Sequence, residues 1–231
     1  KVCCVDRNLE SAQQTADQIT CNGGTATARA ADITDETALE SAIRGSAEEW
    51  GRLDILHNNV GISVEGGDAP LEAVSTDAFE RIFDINLLGT MFACKHALPI
   101  MRAQKSGAIV NISSASAYWT GHPTVLYPAS KMAMVSFTRQ IAIQNADAGV
   151  RANTILPGLM DTPMAVDRRV EATGRTRDDI AAERDAKVPL LNKMGTGWDV
   201  ANAALFLASD EAGFITGVEL PVDGGSMARV G

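Results

Sequence analysis

Short apolar runs alternate with longer amphipathic stretches along the whole chain. VCCVD, Val2 to Asp6, reads as a buried strand tipped by a carboxylate, and a helix follows from Leu9 to Ile19 until the NGG of Asn22 to Gly24 stops it. TATARAAD predicts a strand ending at Asp32. Thr34 is expected to cap a helix over Asp35 to Trp50, whose first turn carries Asp35 and Glu36. LDILHNN predicts a strand running into the turn NVG, and a long helical region covers roughly Ser75 to Gln104. GAIVNISS is the most hydrophobic strand. A helix over Leu126 to Asn145, the strand VRANTIL, the turn PG, the helix WDVANAALFLAS and the strand VELPVDGG complete the pattern. Apolar strands separated by helices predict an α/β fold, a doubly wound parallel sheet covered on both faces. Residues 163–195 break the rhythm, being polar and charged with weak apolar faces. They are expected to form a substrate lid within a single domain spanning 1–231.

At 231 residues and 45% hydrophobic, the chain can bury one sizeable core. The net charge of −9 and a pI near 4.8 argue against nucleic acid or an anionic membrane as partner. No stretch approaches the 18 apolar residues of a membrane span. Cys3, Cys4, Cys21 and Cys94 lack CxxC spacing and read as small hydrophobes in a reduced cytoplasm. His57, His96 and His122 are scattered, so no metal site is expected.

YPASK, Tyr127 to Lys131, is the sharpest chemical signal. Residues i and i+4 share a helix face, so phenol and ammonium can meet in one site. A cation there stabilises phenolate and draws the tyrosine's pKa down towards working pH, which suits it to exchange a proton with an alcohol. Thirteen residues upstream, Ser114 follows the buried strand, whose C-terminal end delivers it to a ligand crevice. Asn86 stands in an apolar helical stretch where a buried amide needs partners.

With NNVG at Asn58 to Gly61, PGLMDT at Pro157 to Thr162 and ITGVELPVDGG near the end, this ordered set resembles the short-chain dehydrogenase/reductases over essentially the whole chain. The resemblance implies a Rossmann-type fold and hydride transfer between a nicotinamide cofactor and a secondary alcohol or ketone. Tyr127 would be the general acid/base, and Lys131 would lower its pKa while holding the nicotinamide ribose. Ser114 would polarise the substrate carbonyl, and Asn86 would hold a water relaying protons through Lys131. Asp32 and Ile33 would flank the adenine, Asn59, Val60 and Gly61 the adenosine side, and Pro157, Gly158, Met160 and Thr162 the nicotinamide end. Val60 departs from the alanine usual there. Ser116, Tyr118, Trp119, His122 and Met164, with Trp198 further along, are candidates for a pocket suited to a flat or ring-shaped apolar substrate; packing of the lid is the alternative for some. The family also implies a homotetramer or homodimer. Two rival readings are a cofactor-free subunit that binds a partner, and non-redox chemistry on a nucleotide-linked substrate.

The family's phosphate loop, TGxxxGxG, does not occur in the chain. The strand–loop–helix that carries it, roughly 30 residues, is expected to precede Lys1, its strand lying mid-sheet between the strands at Val2 and Leu53. Asp6 then reads as the acceptor for the adenosine ribose hydroxyls, which repels a 2′-phosphate and favours NAD over NADP. Arg7, beside it, could instead welcome that phosphate.

Overall fold

The structure is a computed structural model describing residues 1–229. In chain order its elements are β1 (Val2–Asp6), α1 (Leu9–Cys21), β2 (Ala26–Ala30), α2 (Glu36–Trp50), β3 (Ile55–Asn58), α3 (Thr76–Phe83), α4 (Gly89–Gln104), β4 (Gly107–Ile112) and α5 (Leu126–Gln144). There follow β5 (Val150–Pro157), β6 (Met160–Asp161), α6 (Arg168–Thr173), α7 (Arg177–Asp185), β7 (Gly195–Thr196), α8 (Gly197–Ala208) and β8 (Glu219–Val222).

Every ladder is parallel. β3, β4, β5 and β8 are hydrogen-bonded in that order, β1 pairs with β2, and β6 with β7. No ladder joins β1–β2 to the four-stranded section, and the interruption falls between β1 and β3 in the expected strand order. β4 is buried along its whole length, and its side chains alternate between two layers. Ile109 packs with Leu98 and Met101 of α4, Ile141 of α5 and Leu39 and Ile43 of α2. Val110 and Ile112 face Ile155 of β5 and Leu207 of α8. Each such side chain contributes about 1.5–3 kcal/mol by leaving water, so β4 is the sheet's most firmly held strand.

Some expectations are corrected and others refined. Asp35, not Thr34, caps α2: its Oδ1 accepts from the amides of Thr37 and Ala38 at 3.0 and 3.1 Å. Thr34 instead gives its amide and hydroxyl to Asp32, which folds Asp32 into a turn and ends β2 at Ala30. The region 75–104 is helical as expected, continuous from Thr76 to Gln104, with one π-helical turn, Asp84–Leu88, between its two α-helices. Residues 163–195 are better packed than their composition suggests, because Val166, Ile180, Val188 and Met194 bury together.

Candidate active site

The candidate groups lie at and beyond the C-terminal ends of β3 and β4, the side of a parallel α/β sheet on which ligands generally bind. α5 supplies two of its groups and is fixed to β4 from one side. The Ser113 hydroxyl donates to the Lys131 carbonyl at 2.7 Å, and Asn111 donates to Thr138 at 2.8 Å. Lys131 is buried, and its Nζ donates to the Ile112 carbonyl at 2.9 Å and lies 5.7 Å from the centre of the Tyr127 ring. Burial draws the Lys131 ammonium down to about 8.

Tyr127 differs from expectation in the free chain. Burial pushes its phenol above the ordinary tyrosine value, and the neighbouring Ser114 hydroxyl pulls in the opposite direction. The sequence suggested a lowering by Lys131, but burial of the phenol dominates and raises it. Ser114 receives two hydrogen bonds from Ser116, from the amide at 3.1 Å and the hydroxyl at 2.9 Å. With its lone pairs so engaged, the Ser114 hydroxyl proton is left for the Tyr127 side of the site, where the two side chains are hydrogen-bonded.

Asn86 owes its position to the π turn, which breaks the helical ladder and turns the amide inward. Its Oδ1 accepts from the Ile62 amide at 2.8 Å, while Nδ2 donates to the Ile62 carbonyl and to Ser130, each at 2.9 Å. It therefore staples the segment after β3 to α5. Gly61 lies against both groups: a Cβ there would sit 3.0 Å from Lys131 Nζ and 3.3 Å from Asn86 Oδ1. Asn58, the first residue of NNVG, instead donates to Asn111 on β4 at 2.8 Å.

The other candidates fall into two groups. Asp6 ends β1 and accepts the Asn8 amide at 2.8 Å through one oxygen. Arg7, Asp32, Asn59 and Val60 are exposed nearby in sequence to strand ends, whereas Ile33 turns into the core against Gly89. A side chain at Gly158 would collide with Asp223, whose carboxylate accepts the amides of Gly225 and Met227, so the VDGG turn braces the PG turn. Met160 is buried against Gly195, and Thr162 caps the turn that opens 163–195.

Among the pocket candidates, Trp119 and His122 are half-buried in the loop before α5, and Met164 sits exposed near the start of residues 163–195. Ser116 is buried behind Ser114. Tyr118 gives its hydroxyl to Glu219, which pairs with Arg139, three turns and about 18 Å of helix beyond Tyr127. Trp198, 78% exposed, lies by the end of α1 near Ile19. The structure thus brings Ser114, Tyr127, Lys131, Asn86 and Gly61 together, and leaves the Tyr118 hydroxyl and Trp198 outside that group. Asp68, absent from the sequence reading, accepts the Tyr127 amide at 2.9 Å.

Among the described residues no helix is long and apolar enough to cross a membrane. A family model described as enoyl-(acyl carrier protein) reductase matches residues 1–227. The 2,5-dichloro-2,5-cyclohexadiene-1,4-diol dehydrogenase LinX of Sphingobium indicum is 35% identical, over 97% of this chain and 85% of that one. A solved protein assigned to the short-chain dehydrogenase/reductases, from Burkholderia xenovorans, is 40% identical with a TM-score of 0.91, covering 99% of this chain and 86% of that one. Solved relatives carry cofactor. Carveol dehydrogenase from Mycobacterium avium, with NAD, is 30% identical with a TM-score of 0.87 over 95% of this chain and 81% of that one. ElxO, with NADP, is 31% identical with a TM-score of 0.87 over 98% and 88%. Similarity of this extent, in sequence and fold together, places the chain in the short-chain dehydrogenase/reductase family of oxidoreductases.

Proposed function

We propose that this oxidoreductase interconverts a secondary alcohol on a six-membered ring and the matching ketone, with NAD(H) as cofactor. The observation that carries the reading is Lys131, a buried cation beside a tyrosine, with a single hydrogen bond among the described residues. An ammonium has three donors, so two remain for the hydroxyls of a ribose, and the missing side chain at Gly61 keeps their approach open. The cofactor supplies hydride acceptance or donation.

Tyr127 takes the proton of the substrate hydroxyl during oxidation and returns it during reduction. Lys131 stabilises the phenolate that burial alone disfavours. Ser114 donates its hydroxyl proton to the substrate oxygen beside Tyr127, and Asn86 holds the segment after β3 against α5 so that these groups keep their spacing. Met160, Thr162, Pro157 and Gly158 serve the nicotinamide end, and Asn59 to Gly61 the adenosine side. Asp6 accepts the adenosine ribose hydroxyls through the oxygen that Asn8 leaves free, and Arg7 carries the alternative preference for NADP. The half-buried Trp119 and His122 and the cyclohexadiene diol named for LinX support ring alcohols as the substrate class. Exposed Leu205, Phe206 and Phe214 on and after α8 support a homodimer or homotetramer.

The deciding experiment follows NADH formation by the intact protein over a panel beginning with cyclohexanol and cis-cyclohexane-1,2-diol. Tyr127→Phe should cost at least about 10²-fold in turnover, the scale of a lost general acid/base, with NADH affinity within a few-fold. Turnover that survives Tyr127→Phe would assign the proton to another group. In a parallel titration NADH should bind at least about tenfold more tightly than NADPH, roughly 1.4 kcal/mol; equal or reversed affinity would hand the cofactor preference to Arg7.

A further inference from the structure

α5 begins without a cap of its own. Val125 stands at its N-cap position and offers no side-chain oxygen, although a helix start leaves several amides unpaired. The missing acceptor comes from Asp68, in the segment between β3 and α3. Its Oδ1 accepts the Leu126 amide at 2.9 Å, and its Oδ2 accepts the Tyr127 amide at 2.9 Å and the Thr124 hydroxyl at 2.6 Å. Asp68 is 6% exposed, and no lysine, arginine or histidine pairs with it among the described residues. Its charge is balanced by three hydrogen bonds and the positive end of the helix. Thr124 is steadied in turn, its amide donating to His122 Nδ1 at 3.3 Å.

We propose that Asp68 is the positioning residue of the acid/base tyrosine. The inference rests on Tyr127 serving as that group. A carboxylate holding the tyrosine's own amide fixes the backbone from which the phenol projects. Ser113 and Lys131 tie the next turn of α5 to β4, so the tyrosine is located from both sides of the helix start. Small displacements matter here, since misplacement by about 1 Å can cost about 10²-fold in rate. Asp68 touches neither substrate nor cofactor in this scheme and acts through Tyr127.

The test compares Asp68→Ala, Asp68→Asn and Asp35→Ala in the intact protein, using whichever panel alcohol turns over fastest at saturating NAD. Asp35 is a matched control, because it too accepts two amides at a helix start but on α2. Asp68→Ala should lower kcat ten- to a hundredfold with the alcohol's KM within about threefold. Asp68→Asn, which keeps one acceptor oxygen, should recover part of the loss. Asp35→Ala should lower the melting temperature comparably yet keep its kcat. Hydrogen exchange provides an arm independent of turnover: the amides of Leu126, Tyr127 and Ala129 should lose protection in Asp68→Ala, while those of residues 134–141 keep theirs. A kcat within threefold of wild type in Asp68→Ala, or an equal loss in Asp35→Ala, overturns the proposal. If no alcohol turns over in the wild type, the functional reading fails on its own, and unchanged exchange at 126–129 would still refute the anchor.

Discussion

Replacing Lys131 with methionine should abolish activity and yet relieve the fold of a burden that varies with pH. Buried, the ammonium is drawn from 10.5 to about 8. Because the folded value lies below the unfolded one, the unfolded chain binds the extra proton between about pH 8 and 10.5, and stability rises with pH through that window. About 2.5 pH units at 1.36 kcal/mol each amounts to about 3 kcal/mol of destabilisation at pH 7, falling to about 1 kcal/mol near pH 9.5. Methionine has no such titration. Losing the bond to the Ile112 carbonyl costs Lys131→Met about 1–3 kcal/mol at any pH. The stability of the variant relative to wild type should therefore decline by about 2 kcal/mol between pH 7 and 9.5. Urea unfolding of both proteins at fixed concentration across that range measures it. A difference flat to within about 0.5 kcal/mol would show that the lysine is not strained by its burial, and the reasoning would fail.

Three further outcomes follow from the same geometry. Gly61→Ala should weaken NADH binding about tenfold, since a methyl 3.0 Å from Lys131 Nζ displaces the ammonium at a cost near one charge-assisted hydrogen bond; unchanged NADH affinity in fluorescence titration would count against Gly61 as the gap through which ribose meets lysine. Ser116→Ala should lower kcat about 3- to 10-fold, the value of one neutral hydrogen bond, by freeing the Ser114 hydroxyl to rotate; steady-state kinetics decide it, and a wild-type kcat removes Ser116 from the argument. Residues 163–195, proposed as the lid, should exchange amide hydrogens faster than β4 without ligand and slow on adding NAD with cyclohexanol, whereas ligand-free protection equal to that of β4 would remove the lid.

What the sequence disclosed and what it hid follow from distance along the chain. β4 was legible because its six residues, apolar but for Asn111, bury on both faces, and Tyr127 with Lys131 because one helical turn joins them. Asp68 was not, since a lone aspartate in GGDAP looks like loop and its partners lie 56 to 59 residues later. The core of residues 163–195 escaped because Val166, Ile180, Val188 and Met194 are too widely spaced to show any period. Tyr118 looked like a pocket residue by proximity to Ser114, but Glu219 on the last strand claims its hydroxyl. The direction of the Tyr127 shift was misjudged because charge proximity is visible in YPASK whereas enclosure is not.

The π turn at Asp84–Leu88 has a consequence for anyone who would edit this chain. An extra residue is accommodated there, and the 89-to-84 bond spans five positions instead of four. Deleting a single residue between Phe83 and Gly89 would let α3 and α4 fuse into one regular rod. Every side chain of α3 would then turn by about 100° relative to α4, carrying Ala78 and Ile82 off the surface they bury against Leu126. The most helix-friendly substitution, Asn86→Ala, acts in the same direction, raising local propensity while cutting the staple to Ile62 and Ser130. At this locus an algorithm that rewards ideal helices would select against the enzyme, and a length-conserving alignment would be the safer guide.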